Sequence, residues 1–235
     1  MRLDIYLTKK HNIQSRNKAQ ELIKAKKILV DNHIITKPSF IVEDKHTIDI
    51  DEDQFYVSRA AYKLKYFLDD NKIDLQDSIA LDIGSSTGGF TQILLSSNVK
   101  SVTCVDVGSN QLHKSIKDNN KIIIKENTDI RDFISTKKFD LVTCDVSFIS
   151  ILNIIEDINR LSSHKIIILY KPQFEVGKNI KRDSKGVVLD ENIIEKCKNE
   201  FIFKTKELGW DLIISEKSKL SGKSGNVEEL FYFTI

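Results

Sequence analysis

The stretch Ile79-Ala-Leu-Asp-Ile-Gly-Ser-Ser-Thr-Gly-Gly-Phe90 decides the fold. Ile79, Leu81 and Ile83, with Ala80 among them, form a short apolar run that suits a strand buried on both faces of a parallel sheet. Gly84, Gly88 and Gly89 follow as a tight turn, and Phe90-Thr-Gln-Ile-Leu-Leu95 opens a helix. Glycine lets the backbone come close to a ligand, and the N-terminus of the next helix offers unpaired N–H groups. The spacing G-x-x-x-G-G differs from the G-x-G-x-x-G of a dinucleotide site, and no Gly-Lys-Ser/Thr phosphate loop is present. The expected ligand is a nucleoside without a diphosphate.

The next strand, Val102-Thr-Cys-Val-Asp-Val107, brings Asp106 to the place from which an acid binds ribose hydroxyls. Asp129 follows a third apolar run, Ile122-Ile-Ile124, within reach of a base edge. Asp82 either braces the turn or faces the amino-acid end of the ligand. A glycine turn, a ribose carboxylate and a base carboxylate in this order suggest S-adenosylmethionine. The cofactor set is therefore Asp82, Gly84, Ser85, Ser86, Thr87, Gly88, Gly89, Phe90, Asp106 and Asp129.

Further apolar strands end at Asp145 (139–146) and at Lys171 (166–172), and helices alternate with them, a doubly wound α/β pattern. Such sheets bind ligands at the carboxyl ends of their strands. A lysine leaving an apolar strand is costly unless paired, which singles out Lys171 for catalysis. Lys63, on a helix expected to start after a Ser58 cap, falls at the edge of its buried stripe. Glu228 stands at the entrance to a last strand, 229–235.

Ahead of this lies a smaller module. Residues 1–42 hold nine Lys or Arg against Asp4, Glu21 and Asp31, while 43–53 hold six acids against Lys45. Leu3, Tyr6 and Leu7 share a helix face, Ser15 caps a second helix carrying Ala19, Leu22 and Ile23, and 28–35 reads as a hairpin turning at Asp31-Asn32. This order resembles the RNA-binding domain named after ribosomal protein S4, which grips structured RNA by shape and phosphate contacts. Its RNA-binding residues are expected to be Arg2, Arg16, Lys18, Lys27 and Lys37, with Lys24 and Lys26 nearby and Arg59 just beyond the linker. The expected organisation is an α+β S4-like domain over 1–53, a linker over 54–57 and a Rossmann-like class I methyltransferase domain over 58–235.

Composition excludes several classes. No apolar run approaches the ~20 residues of a membrane span, and the start is no signal peptide. Cys104, Cys144 and Cys197 are odd in number, as expected of thiols in a reducing cytoplasm. Five scattered histidines show no metal-ligand spacing. The basic segment Gly177–Gly186 reads equally as a mobile substrate loop and as a solvated one.

Taken together, Ser58-Arg-Ala-Ala-Tyr-Lys-Leu64, Leu81–Phe90, Val105-Asp-Val-Gly108, Asp145-Val-Ser-Phe148, Lys171-Pro-Gln-Phe-Glu175 and Gly225-Asn-Val-Glu228 resemble the TlyA family of cytidine 2′-O-ribose rRNA methyltransferases, which share the FtsJ-like catalytic domain. The resemblance implies a catalytic Lys-Asp-Lys-Glu tetrad at Lys63, Asp145, Lys171 and Glu228, S-adenosylmethionine as methyl donor, and no metal. It implies 23S rRNA of the large ribosomal subunit as partner, the extent of the chain matching the short form of the family. The linker departs from the family, with Gln54 and Tyr56 where a basic residue and a tryptophan are common. The rival readings are a non-catalytic ribosome-assembly protein, a membrane-active haemolysin and a dehydrogenase; the last lacks a hydride-transfer constellation.

Overall fold

The computed structural model describes residues 1–11, 13–31, 33–50 and 56–235. Asn32 of the expected turn, the end of the acidic stretch at 51–53, and Gln54 and Phe55 of the expected linker lie outside the described residues. The chain divides into two compact units, Met1–Phe55 and Tyr56–Ile235.

In the first unit, α1 (Leu3–Lys10) and α2 (Arg16–Lys24) pack on a small antiparallel sheet of β1 (Ile28–Val30), β2 (His33–Ile34) and β3 (Ile48–Ile50), in the order β2-β1-β3. Ser15 Oγ accepts from the Lys18 N–H, the expected cap. Leu3, Leu7, Ile13, Ala19, Leu22, Ile23, Ile28, Val30 and Val42 form the core. The carboxylate of Asp4 is fully buried and accepts from Arg2, Arg16 and Gln20. These bonds hold it well below the usual carboxylate range, the Arg2 guanidinium contributing most.

The second unit is built on a seven-stranded sheet. Its strands are β4 (Ile79–Ile83), β5 (Ser101–Val105), β6 (Ile122–Lys125), β7 (Phe139–Cys144), β8 (Ser162–Tyr170), β9 (Asp211–Lys217) and β10 (Glu229–Thr234), in the order β6-β5-β4-β7-β8-β10-β9. The first five run parallel, whereas β10 lies antiparallel between β8 and β9. The helices are α3 (Arg59–Asn71), α4 (Gly89–Ser96), α5 (Lys114–Lys117), α6 (Ile155–Leu161), α7 (Pro172–Glu175) and α8 (Glu191–Glu207). Tyr170, Phe201, Trp210, Phe231 and Phe233 fill the core beneath the antiparallel end, ring to ring. Cys104 and Cys144 are buried in central strands as small apolar groups, and burial pushes both thiols up to about 12.

Register positions the site. Ile83 pairs with Val105 on one side and Cys144 on the other, so Gly84, Asp106 and Asp145 leave the sheet side by side. Glu229 of β10 pairs with Tyr170 of β8, which sets Glu228 beside Lys171 where the strands meet head to tail.

Candidate active site

Two adjoining cavities open at this edge. The larger, about 390 Å³, has apolar walls from Ile83, Val105, Ile130, Val146 and Ile154, and polar groups from Ser86, Asp106, Thr128 and Asp129. Asp106 fixes its mouth: Oδ2 accepts from the Ser86 N–H at 2.8 Å and Oδ1 from the Gly108 N–H at 2.7 Å. Each oxygen retains a lone pair for a ribose hydroxyl. Asp129 is held by Arg131, whose guanidinium and backbone N–H lower its carboxyl to about 2. Glu126, which no sequence motif marks, shapes the adjoining loop by accepting from the N–H groups of Asn110, Gln111 and Leu112.

The smaller cavity, about 160 Å³, is lined by Ser58, Ser85, Thr87, Gly89, Phe90 and Lys171, and shares Gly84, Ser86, Asp145 and Ser147 with the larger one. Gly84 is required here: its φ is +74°, and a Cβ would lie 2.9 Å from the Asp145 carbonyl oxygen. The hydroxyls of Ser58 and Ser85 are buried without a hydrogen-bond partner. Ser58 therefore does not close the helix as a side-chain cap; it stands at the N-terminus of α3 with its Oγ 2.1 Å from where a Gly89 Cβ would project. Only glycine lets α4 approach α3 this closely.

Two residues of the expected cofactor set do not reach either cavity. Asp82 is fully buried, accepting from Thr91 Oγ1 at 2.6 Å and Thr143 Oγ1 at 2.8 Å, so it braces β4 against α4 and β7 instead of facing a ligand. Gly88 is packed under Leu112 and Ile116.

At the smaller cavity, whose wall includes Asp145 and Lys171, the four expected catalytic side chains form two ion pairs. Lys171 Nζ lies 2.5 Å from Asp145 Oδ1 and donates to Ser147 Oγ at 3.0 Å. Lys63 pairs with Glu228, the two side chains only 8% and 4% exposed. Lys63 is thus no edge residue of its helix; it is sequestered with Ala61, Leu64 and Phe67 because a carboxylate meets it there. Burial pushes the Asp145 carboxyl up, against the opposing pull of Lys171 and, more weakly, of Lys63.

Helix α7 ties this arrangement together. Gln173 Nε2 donates to Glu228 Oε1 at 3.0 Å, the Phe174 ring packs on Phe148 at 5.2 Å, and Glu175 accepts from Ser150 Oγ and the Ile151 N–H. One turn of helix therefore holds the whole segment that follows β7. Phe148 is 92% exposed at the cavity mouth with φ +68°, an uncommon backbone state for an aromatic residue. The loop after α7 is built, not loose: Arg182 donates to the carbonyls of Gln173, Gly177, Lys178 and Ile180.

Among the expected RNA-binding residues, Arg2 and Arg16 are oriented by Asp4 while staying 39% and 53% exposed. Lys18 lies 3.8 Å from Glu21, Lys27 is half-buried and Lys37 exposed. In the second unit, Arg59 donates to the Ser221 carbonyl. No group of three or more His, Cys, Asp or Glu among the described residues is arranged to hold a metal ion. No helix among them is long and apolar enough to cross a membrane.

Comparison with known proteins places this geometry in a family. The model for FtsJ-like methyltransferases matches residues 56–234, and the S4 domain model matches residues 1–48. The chain is 47% identical to the 23S rRNA (cytidine-2′-O)-methyltransferase TlyA of Campylobacter jejuni over 99% of each protein. It is 35% identical to the 16S/23S rRNA (cytidine-2′-O)-methyltransferase TlyA of Mycobacterium tuberculosis, over 97% of this chain and 87% of that one. A solved Streptococcus thermophilus structure described as a candidate hemolysin superposes with a TM-score of 0.72 at 27% identity, over 100% of this chain and 88% of that one. The chain belongs to the TlyA family, an S4 domain followed by an FtsJ-like methyltransferase domain.

Proposed function

We propose that this protein uses S-adenosylmethionine to methylate the 2′-hydroxyl of a cytidine in 23S rRNA of the large ribosomal subunit. The observation that carries the reading is the buried Lys63–Glu228 and Lys171–Asp145 quartet at the end of a nucleoside-sized cleft. The cleft suits the donor in three respects: Asp106 offers lone pairs at the cavity mouth, the walls are apolar, and the orphaned hydroxyls of Ser58 and Ser85 suit a polar amino-acid end. When bound, S-adenosylmethionine supplies a methyl group already activated by its sulfonium.

The residues of the chain then have to align a hydroxyl and stabilise its oxygen as the proton leaves to solvent and the methyl group arrives. Lys171, held by Asp145 and Ser147, is the group we assign to the 2′-oxygen, where its ammonium stabilises developing negative charge. Lys63 and Glu228 neutralise one another beside it and orient the ribose, so the second pair sets the local field without adding net charge. Phe148, exposed and supported by Phe174, is a stacking surface for a nucleobase drawn out of the RNA. Arg2 and Arg16, fixed on Asp4, and the exposed Lys37 give the S4 domain a phosphate-binding face.

The test is methyl transfer from labelled S-adenosylmethionine to isolated large subunits, small subunits and whole ribosomes, with the modified nucleotide mapped. Label on a large-subunit cytidine, lost in Lys171→Ala while donor binding persists, is the expected result. Full turnover in Lys171→Ala refutes the assignment of Lys171, and absence of label on every substrate with RNA binding intact favours the assembly-factor reading.

A further inference from the structure

Glu228 precedes its strand on a loop, and a loop does not by itself hold a buried carboxylate in register with a lysine on a separate helix. The neighbouring residue but one, Asn226, is 95% buried. Its Oδ1 accepts from the Val188 N–H at 3.1 Å and its Nδ2 donates to the Gly186 carbonyl at 3.2 Å. Its own carbonyl accepts from the Gly222 N–H at 2.8 Å. Gly222 in turn leaves room for the carboxylate: a Cβ there would stand 2.5 Å from Glu228 Oε1.

The segment that Asn226 grips is itself anchored. Val188 is bridged to Arg182, and Arg182 is fixed on four carbonyls that begin with Gln173. Gln173 closes the circuit by donating to Glu228 Oε1. Glu228 is thus held from two sides, by a side-chain bond from α7 and by a backbone clamp whose central member is Asn226.

We propose that Asn226 is a positioning residue for methyl transfer, setting Glu228 against Lys63 by clamping the 186–188 segment to the 222–228 loop. This rests on the reading that Glu228 belongs to the catalytic quartet. Without the Asn226 amide, the buried Val188 N–H and the part-buried Gly186 carbonyl lose their partners and the loop relaxes. A shift of about 1 Å in a catalytic group lowers turnover on the order of 100-fold.

The test uses the full chain, labelled S-adenosylmethionine and isolated large subunits, comparing Asn226→Ala, Asn226→Asp, Glu228→Gln and the double variant Asn226→Ala/Glu228→Gln. Asn226→Ala is expected to lower kcat by about 10- to 100-fold with KM for the subunits and donor affinity unchanged. Asn226→Asp, which keeps the acceptor for Val188 but sets a carboxylate oxygen against the Gly186 carbonyl, is expected to lose turnover as well. The double variant is expected to match Glu228→Gln alone, because a residue that acts only through Glu228 has nothing left to position. Full turnover in Asn226→Ala beside an inactive Glu228→Gln, or losses that multiply in the double variant, overturns the inference alone. Full turnover in Glu228→Gln removes the catalytic reading of Glu228, and this inference with it. Should Asn226→Ala fail to fold, Asn226→Asp alone and combined with Glu228→Gln decides the question on the same criteria.

Discussion

Replacing Asp82 by Asn is expected to change how the stability of the methyltransferase domain depends on pH. The carboxyl is fully buried between β4, α4 and β7, where it accepts from the hydroxyls of Thr91 and Thr143 and from the Thr91 backbone N–H. Burial outweighs those bonds and raises its pKa from 3.8 to about 7. The folded chain therefore holds a proton that the unfolded chain releases between about pH 4 and pH 7, so this group withdraws stability as pH rises through that window and no further above it. An offset of about three units corresponds to about 4 kcal/mol as an upper figure. Asn preserves the shape and bonds to the same hydroxyls without ionising. The difference in stability between Asp82→Asn and the parent should thus be smallest near pH 4 and grow in favour of Asn, by up to about 4 kcal/mol, by pH 8. Trp210, the only tryptophan, is 3% exposed in the core of this domain, so its fluorescence during urea unfolding reports this domain directly. A difference that stays constant from pH 4 to pH 8, or that grows in the opposite sense, refutes the reasoning.

Two further outcomes follow from the buried groups and the exposed ring. Lys63→Met strands the Glu228 carboxylate with Gln173 as its remaining side-chain partner, and should cost about 3–5 kcal/mol in the Trp210 transition; adding Glu228→Gln should recover part of it, and an unchanged urea midpoint in Lys63→Met contradicts the buried pair. Phe148→Ala removes an aromatic ring that is 92% exposed, so the midpoint should hold. Methylation efficiency should nonetheless fall by about 5- to 150-fold, the equivalent of about 1–3 kcal/mol for one stacked base; equal kcat/KM in the two proteins excludes the stacking role.

Much of the fold was legible because its signals are local. The apolar runs at 79–83, 102–105, 122–124 and 139–144, the glycine turn and the Ser15 cap depend on neighbours within a few residues, and each takes the expected form. The place of Asp106 at the cavity mouth is legible for the same reason, since the end of the second strand of such a sheet opens on the cleft. The antiparallel insertion of β10 between β8 and β9 is not legible, because nothing in an alternating apolar pattern states which partner a strand chooses.

The site divides along the same line. The residue types of the quartet, and their order along the chain, are in the sequence and in its likeness to a family. What pairs with what is a matter of register: Glu229 opposite Tyr170 brings Glu228 beside Lys171, and the packing of α3 carries Lys63 to Glu228 across 165 positions of chain. Asp82 stands two residues from the glycine turn in sequence yet lies in the interior, since both faces of β4 are covered and Thr91 of α4 and Thr143 of β7 close over its carboxylate. Phe148 has an unremarkable place in Asp-Val-Ser-Phe and gains its exposure from a positive φ, held by contacts from a helix more than twenty residues later. By itself the sequence determined the two-domain plan, the class of sheet and the residue types available for chemistry, because these rest on periodicity, turns and charge. Tertiary structure alone decided which carboxylate meets which lysine and which acid is left in the interior, because burial and pairing arise only where distant segments close on one another.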